Sequence, residues 1–356
     1  MIDQLFDDSV TLLQELIGNP SFSREEGRTA DILEEFLRDH GVRARRHLNN
    51  VWAINHQFDP GKPSLLLNSH HDTVRPNPQY TRDPFDPEIL NGRLYGLGSN
   101  DAGGCLVALA ATFLNYFHEP DLAFNLIFAA TAEEEISGPN GVESLLPLLP
   151  PVQCAIVGEP TKMNLAIAEK GLMVLDGLAS GKAGHAAREE GVNAIYALLP
   201  DIEWYRTYRF PKESPWLGPV KMSVTVIETE NKAHNVVPAQ CRYVVDVRVT
   251  DAYSHEEVLE EIRQHIHSQV TPRSLRMRAT LIPEDHPLVR SGLRLGKELY
   301  GSPTSSDKAL MPFPALKCGP GDSARSHTAD EYIGLQEVYE GIIDYIQLLE
   351  PLLRKR

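Results

Sequence analysis

The stretch Asn125-Leu-Ile-Phe-Ala-Ala-Thr131, followed by Ala132 and the triplet Glu133-Glu134-Glu135, decides the reading of this chain. An uncharged, largely apolar run of this length reads as a strand buried on both faces, the kind found in parallel sheets. Three adjacent carboxylates then stand at its carboxyl end. They repel one another, and acidic groups at the mouth of a buried strand are costly unless positive charge faces them. A divalent metal supplies such charge. Metal ligands also need neighbours that are not ligands, to orient them or to move protons.

Working outward, strands are expected over 51–55, 64–68, 124–130 and 155–157. Helical periodicity covers 5–16, and Ser23-Arg-Glu-Glu26 has the pattern of a capping box opening a second helix that ends near Gly41. Residues 102–117 read as a helix with small residues at its start. Strands alternating with helices imply an α/β sheet. The pattern changes after residue 165. A strand over 172–179, a helix over 192–208, strands over 220–228 and 242–250, a helix over 254–268 and a strand over 276–282 follow in turn. That order, β-α-β-β-α-β, is the ferredoxin-like signature. A helix over 288–300, a strand over 315–318 and a helix over 335–353 then resume the first pattern. The expected organisation is one α/β domain in two parts, 1–165 and 284–356, interrupted by an inserted domain over 166–283. No internal repeat or low-complexity tract is visible.

The 356 residues are 42% hydrophobic and 23% charged, enough apolar content for buried cores and more than one domain. A net charge of −15 argues against nucleic acid and anionic membranes as partners. The four cysteines are widely spaced and include no C-x-x-C pair, so buried reduced thiols are expected. The first residues lack the basic and apolar regions of a signal peptide, and no apolar run reaches membrane-spanning length. A cytoplasmic location is the simplest expectation.

Polar residues fall at the same places in the pattern. His70 follows Leu65-Leu-Leu-Asn-Ser, Glu135 follows the 125–131 run, Glu159 follows Ala155-Ile-Val-Gly, and His327 follows Ala315-Leu-Lys-Cys and a Gly319-Pro-Gly turn. Asp101 opens a helix. In an open α/β sheet, the carboxyl ends of strands and amino ends of helices are where sites form. Two imidazoles and several carboxylates there make an N/O ligand set suited to zinc, and also to cobalt or manganese. Asp101, Glu134, Glu135 and Glu159 carry four negative charges, which two divalent ions would neutralise. Each motif alone has an ordinary reading: a hydrogen-bonded His-Asp pair, an acidic helix start, a strand ending in a turn. Their joint placement favours a metal site.

With these motifs in hand, the chain resembles the dinuclear metallopeptidase and deacylase family of acetylornithine deacetylase, succinyl-diaminopimelate desuccinylase, aminoacylase and glutamate carboxypeptidase. The matching pieces are Ser69-His-His-Asp-Thr-Val74, Leu94-Tyr-Gly-Leu-Gly-Ser-Asn-Asp101, Thr131-Ala-Glu-Glu-Glu135, Val157-Gly-Glu-Pro-Thr161, Gly184-His185, Gly191-Val-Asn-Ala-Ile195, Asn235-Val-Val-Pro238 and His327-Thr-Ala-Asp-Glu-Tyr332. The resemblance implies a zinc-peptidase-like catalytic domain with a mixed central sheet, and an inserted ferredoxin-like domain that acts as lid and dimerisation element. It implies His70 and Glu159 as ligands of the first metal, Glu135 and His327 as ligands of the second, and Asp101 as the bridge, followed by a cis peptide. Asp72 matches the carboxylate that orients His70, and Glu134 the general base. His185 matches a lid histidine that steadies the oxyanion, often across a homodimer. Asn235 and Arg248 match positions that hold the substrate's carboxylate. Ala102-Gly-Gly104 departs from the Met-Lys-Gly-like stretch usual after the bridging aspartate, and Glu133 replaces a frequent aspartate. No role follows for His71 or Asp330.

The segments Gly301-Ser-Pro-Thr-Ser-Ser-Asp307 and Lys317-Cys-Gly-Pro-Gly-Asp-Ser323 look most like the acetylornithine and acetylcitrulline deacetylase branch. The implied reaction is removal of the acyl group from an N-acylated amino acid, N-acetylornithine first, in arginine biosynthesis. Acetylcitrulline and the succinyl analogues stay open, as does a dipeptidase or carboxypeptidase of the same family. A metal-binding protein without catalysis is a third class, disfavoured because binding alone does not require Glu134.

Overall fold

The computed structural model describes residues 2–354. The chain divides into two compact units: Met1–Ile167 with Ile282–Tyr300 and Ser306–Arg356, and Ala168–Leu281 with Gly301–Ser305.

The first unit is built on a mixed sheet. Its strands lie in the order Arg45–His47, Asn50–Ile54, Asn125–Thr131, Ser64–His70, Val152–Val157, Ala315–Lys317, Leu165–Glu169. The centre is parallel: Ser64–His70 pairs with Asn125–Thr131 and with Val152–Val157, which in turn pairs with Ala315–Lys317. The flanks are antiparallel. Every residue of Ser64–His70 and Asn125–Thr131 is buried, because both faces are covered. On one face the helix Gly104–Phe117 packs on the sheet and against helices Ile2–Ile17 and Leu335–Leu353. On the other, Leu66, Ile127, Ala129, Ala155 and Val157 pack with Trp52, Val142, Leu145 and Met311. Parallel pairing brings the carboxyl ends of the central strands to one edge, with His70 level with Thr131.

The second unit has a four-stranded antiparallel sheet in the order Lys221–Thr229, Gln240–Val249, Gly171–Ser180, Gln269–Pro272. Alternate residues of the two inner strands are buried under helices Ala194–Thr207 and His255–His265, with Met173, Leu175, Tyr243, Val245, Leu198 and Ile262 in the core. The expected β-α-β-β-α-β order holds, but its last strand is Gln269–Pro272 rather than 276–282, of which only Thr280–Leu281 is strand. The preceding helix stops at His265. The buried Asp201 carboxylate accepts the backbone N–H groups of His267 and Ser268, each at 3.0 Å, and draws the chain into an extended course. The Ser254–Glu257 capping box forms as expected.

Two other expectations change. The helix expected over 288–300 is Pro287–Arg294; Gly296, at φ +75°, ends it, and Leu299–Ser302 is a strand. The capping box at Ser23 does not form. Helix Gly27–Asp39 starts after Glu26 with no side-chain cap, since Ser23 and Glu26 serve the loops around the sheet edge instead. All four cysteines are buried and free. Among the described residues, no helix is long and apolar enough to cross a membrane.

Candidate metal centre

Strand ends of the first unit bring the candidate ligands together. His70 is the last residue of its strand, Glu135 lies four residues past Thr131, and Glu159 two past Val157. His327 follows the turn after Ala315–Lys317, at a left-handed φ of 59°. Asp101 sits in the tight turn Ser99–Gly103 that opens helix Gly104–Phe117, and the Asp101–Ala102 peptide is cis. Two sets result, His70 with Asp101 and Glu159, and Asp101 with Glu135 and His327. Within each set, one donor atom per residue lies within 4.8 Å of the others. His70 Nε2 is 3.4 Å from Asp101 Oδ1 and 3.9 Å from Glu159 Oε1. His327 Nε2 is 3.5 Å from Asp101 Oδ2 and 3.1 Å from Glu135 Oε2. Ligands about 2.1 Å from a tetrahedral ion stand about 3.4 Å apart, so both sets fit a zinc-sized cation. The two oxygens of Asp101 are divided between the sets.

The acidic triplet separates into three roles. Glu133 has φ 55°, a left-handed turn that swings successive side chains apart. Its carboxylate faces away from the ligand sets and accepts N–H groups from Asn140, at 2.9 and 3.3 Å. Glu134 is nearly enclosed, and its Oε2 lies 4.0 Å from His70 Nε2, beside the first set without belonging to it. Glu135 faces His327. Asp72 ties this arrangement down. Its carboxylate accepts the backbone N–H groups of Glu134 and Glu135 at 3.1 and 3.2 Å, and the Ser23 hydroxyl at 2.6 Å. His70 Nδ1 donates to the Asp72 carbonyl oxygen at 2.9 Å and stands 3.5 Å from its carboxylate. Asp72 therefore orients His70 mainly through its backbone, which leaves Nε2 facing Asp101.

The electrostatics follow from crowding. Burial opposes charge on His70, yet Asp101, Asp72 and Glu134 outweigh it and hold the imidazole well above its usual range. The hydrogen bond to Glu135 is the main cause that pushes His327 up to about 9. Burial raises the Glu134 carboxyl well above normal; His70 opposes this, while Glu159, Asp307 and Glu135 add to it. A site this rich in carboxylates needs positive charge, which is what a divalent ion brings.

Several neighbours escaped sequence reasoning. Asp307 is buried between the two central strands, accepting Thr131 Oγ1 at 2.6 Å and Asn68 Nδ2 at 3.0 Å, and burial first among causes pushes it up to about 6. Glu331 accepts backbone N–H groups at the turn that carries Asp101, and burial, then Asp101, pushes it up to about 8. Glu26 accepts the N–H of Glu133 at 3.2 Å. Each is an acidic residue within a longer motif, and charge alone does not tell a buried carboxylate from a solvated one. His71 and Asp330 now have structural roles. His71 lies between Thr29 Oγ1 and the Asn49 carbonyl, each at 2.9 Å, and burial lowers it to about 4. Asp330 accepts the backbone N–H groups of Thr81 and Arg82.

His185, Asn235 and Arg248 belong to the second unit. His185 lies on a two-stranded ladder opposite Val236, and the Asn235 carbonyl accepts the N–H of Ala186 at 2.9 Å. His185 is exposed, with Nδ1 accepting the N–H of Ala187. Arg248 is paired in bidentate fashion with Asp246, at 2.8 and 3.0 Å. It pairs with Leu172, whereas Gln240, at the other end of its strand, pairs with Ser180, four residues before Gly184. Eight residues of strand span about 26 Å.

The family model described as Peptidase family M20/M25/M40 matches residues 66–350. A succinyl-diaminopimelate desuccinylase 2 of Ruegeria sp. is 28% identical over 274 residues, 72% of this chain and 69% of that protein. A succinyl-diaminopimelate desuccinylase of Cereibacter sphaeroides is 26% identical over 349 residues, covering 92% and 90% of the two chains. Among solved structures, a tripeptidase of Staphylococcus aureus superposes with a TM-score of 0.78 at 18% identity, covering 98% of each chain. An M20 family metallo-carboxypeptidase of Sulfolobus solfataricus gives 0.75 at 18% identity, covering 96% of this chain and 98% of that one. These two establish likeness of fold.

Asp72→Asn puts an amide N–H₂ where Glu134 or Glu135 needs an acceptor. Zinc affinity, measured in competition with a chelator, should fall about 10–100-fold with circular dichroism unchanged. Wild-type affinity in this variant would show that the Glu134–Glu135 backbone does not need the tie.

Proposed function

The chain belongs to peptidase family M20/M25/M40, and we propose that it uses two divalent ions, zinc first among them, to hydrolyse the amide of an N-acylated amino acid. Membership makes it an enzyme, a metal-dependent amidohydrolase. The observation that carries the two-ion reading is the division of Asp101, one oxygen toward His70 and the other toward His327. His70, Asp101 and Glu159 would hold one ion, and Asp101, Glu135 and His327 the other. Ions bound there would acidify a water molecule and polarise the amide carbonyl.

The chain's own residues supply the proton path. Glu134 takes the proton of the attacking water and delivers it to the leaving nitrogen. Its backbone is held by Asp72, and burial, first among the causes, raises its carboxyl well above the usual carboxylate range, the direction a proton carrier needs. His185 steadies the developing oxyanion, while Asn235 and Arg248 receive the substrate's carboxylate. Arg248 offers a fork that suits two oxygens, once Asp246 gives way. Arg248 lies at one end of its strand, and the His185 ladder follows the other end, about 26 Å away along the strand. If both touch one substrate, the two come from different copies, which favours a homodimer. The strand Lys221–Thr229 fits that role: it pairs on one side only and exposes Val226 and Ile227, and helix Ala194–Thr207 exposes Tyr196 and Leu199.

For the substrate, two motif segments favour N-acetylornithine, whereas the curated relatives described above are named succinyl-diaminopimelate desuccinylases. Arginine biosynthesis finds no support in those relatives. Both readings share an N-acyl diamino acid, and that is the class we favour.

Glu134→Ala should keep two metals per chain and lose about 10²–10⁴-fold in kcat. Chelation should abolish hydrolysis and zinc restore it. A panel of acetylornithine, acetylcitrulline, their succinyl analogues, succinyl-diaminopimelate and dipeptides settles the substrate; cleavage of dipeptides alone would reject deacylation. Ile227→Arg combined with Tyr196→Glu should turn a dimer into a monomer in light scattering. A wild-type protein that is already monomeric would remove the paired-copy reading.

A further inference from the structure

We infer that Glu331 is a positioning residue that sets the affinity of both metal sites at once by fixing the backbone of Asp101. The inference rests on the two-metal reading and goes beyond it to a residue outside either ligand set.

The turn Ser99–Gly103 begins a helix, and the first N–H groups of a helix have no partner within it. Glu331 provides one. Its Oε1 accepts the N–H of Asn100 and of Asp101, both at 2.9 Å, and its Oε2 accepts the N–H of Gly98 at 3.3 Å. A buried carboxyl group receiving three backbone donors is a stiff anchor, because losing it would leave those N–H groups without a partner. Glu331 is itself held. Its carbonyl accepts the N–H of Gly96 at 3.0 Å, and the strand Tyr332–Gly334 that follows pairs with Arg93–Tyr95.

The same turn is tied to the segment leading to His327. Asn100 Nδ2 donates to the Asp322 carbonyl and Asn100 Oδ1 accepts the Asp322 N–H, both at 3.0 Å. Gly321, at φ +88°, permits this approach: a Cβ there would lie 2.5 Å from Asn100 Oδ1. Glu331 stands four residues after His327, so one short segment carries a ligand of the second set and the anchor of the ligand common to both. Loosening Asp101 should therefore weaken both ions together, whereas loss of Glu159 or Glu135 should weaken mainly one.

The test is zinc titration of the metal-free full chain against a chromogenic chelator, with thermal melting of the metal-free proteins alongside. Wild type should take up two ions. Glu331→Gln keeps an oxygen for the Asn100 and Asp101 donors and should weaken both sites about 10-fold; Glu331→Ala should weaken both about 100-fold. Glu159→Gln, as the comparison, should weaken one. Should Glu331→Ala not fold, Glu331→Gln decides. Wild-type affinity at either site in Glu331→Gln, or a lower melting temperature with unchanged affinity, overturns the inference. A wild-type protein that takes up fewer than two ions overturns the two-metal reading instead, and the unmutated control shows which has failed.

Discussion

Carboxylates crowded at one edge of a buried parallel sheet are the constraint on which the rest depends. Asp101, Glu134, Glu135 and Glu159 converge there with two imidazoles, and Asp72, Asp307 and Glu331 stand close behind. So much negative charge out of water is tolerable only if each group is neutralised or hydrogen-bonded. Asp101 is where the two ligand sets meet, which makes its position the most consequential in the molecule.

Four carboxylates outside the two sets, Asp72, Asp307, Glu331 and Glu133, are satisfied by donors of the chain itself. Asp72 receives two backbone N–H groups and a hydroxyl, Asp307 a hydroxyl and an amide, Glu331 three backbone N–H groups, and Glu133 two donors from Asn140. Except for the Glu133–Asn140 bonds, which close a single loop, these bonds join segments far apart in the chain, so the acidic shell also holds the loops of the sheet edge together. Net contributions of about 1.5–3 kcal/mol are typical of hydrogen bonds to charged groups, and loss of one partner leaves the other buried and unpaired. The shell is thus both scaffold and electrostatic environment.

The inserted unit follows a different logic. Its sheet is half covered, its strands alternate, and its edge strand and a neighbouring helix face leave apolar side chains exposed. Its buried Asp201, which accepts two backbone N–H groups and the Ser268 hydroxyl, is satisfied in the same way as Asp72, but it holds a helix end rather than a ligand set. Arg248 is paired with Asp246 on its own strand, and His185 is exposed on a short ladder.

Much was legible in the sequence because local rules agreed with the tertiary outcome. The apolar runs at 64–70 and 125–131 are buried strands, and the candidate ligands His70, Glu135 and Glu159 come together because parallel pairing puts the carboxyl ends of their strands on one edge. Where local and tertiary demands differ, the sequence misleads. Ser23 has the look of a helix cap, but Asp72 takes its hydroxyl. The helix after Ser254 reads as running to residue 268, but Asp201 captures the backbone at His267. Asp307 and Glu331 carry no role in the sequence reading, since nothing in one dimension shows which donors will surround them. The triplet itself divides the same way. Its residue types and its place after a buried strand, taken together with the polar residues at the neighbouring strand ends, point to a metal site. Only the folded chain decides that Glu133 turns away at a left-handed φ, that Glu134 stands beside the ligands and that Glu135 joins His327, because those directions depend on one backbone turn and on an aspartate sixty residues upstream.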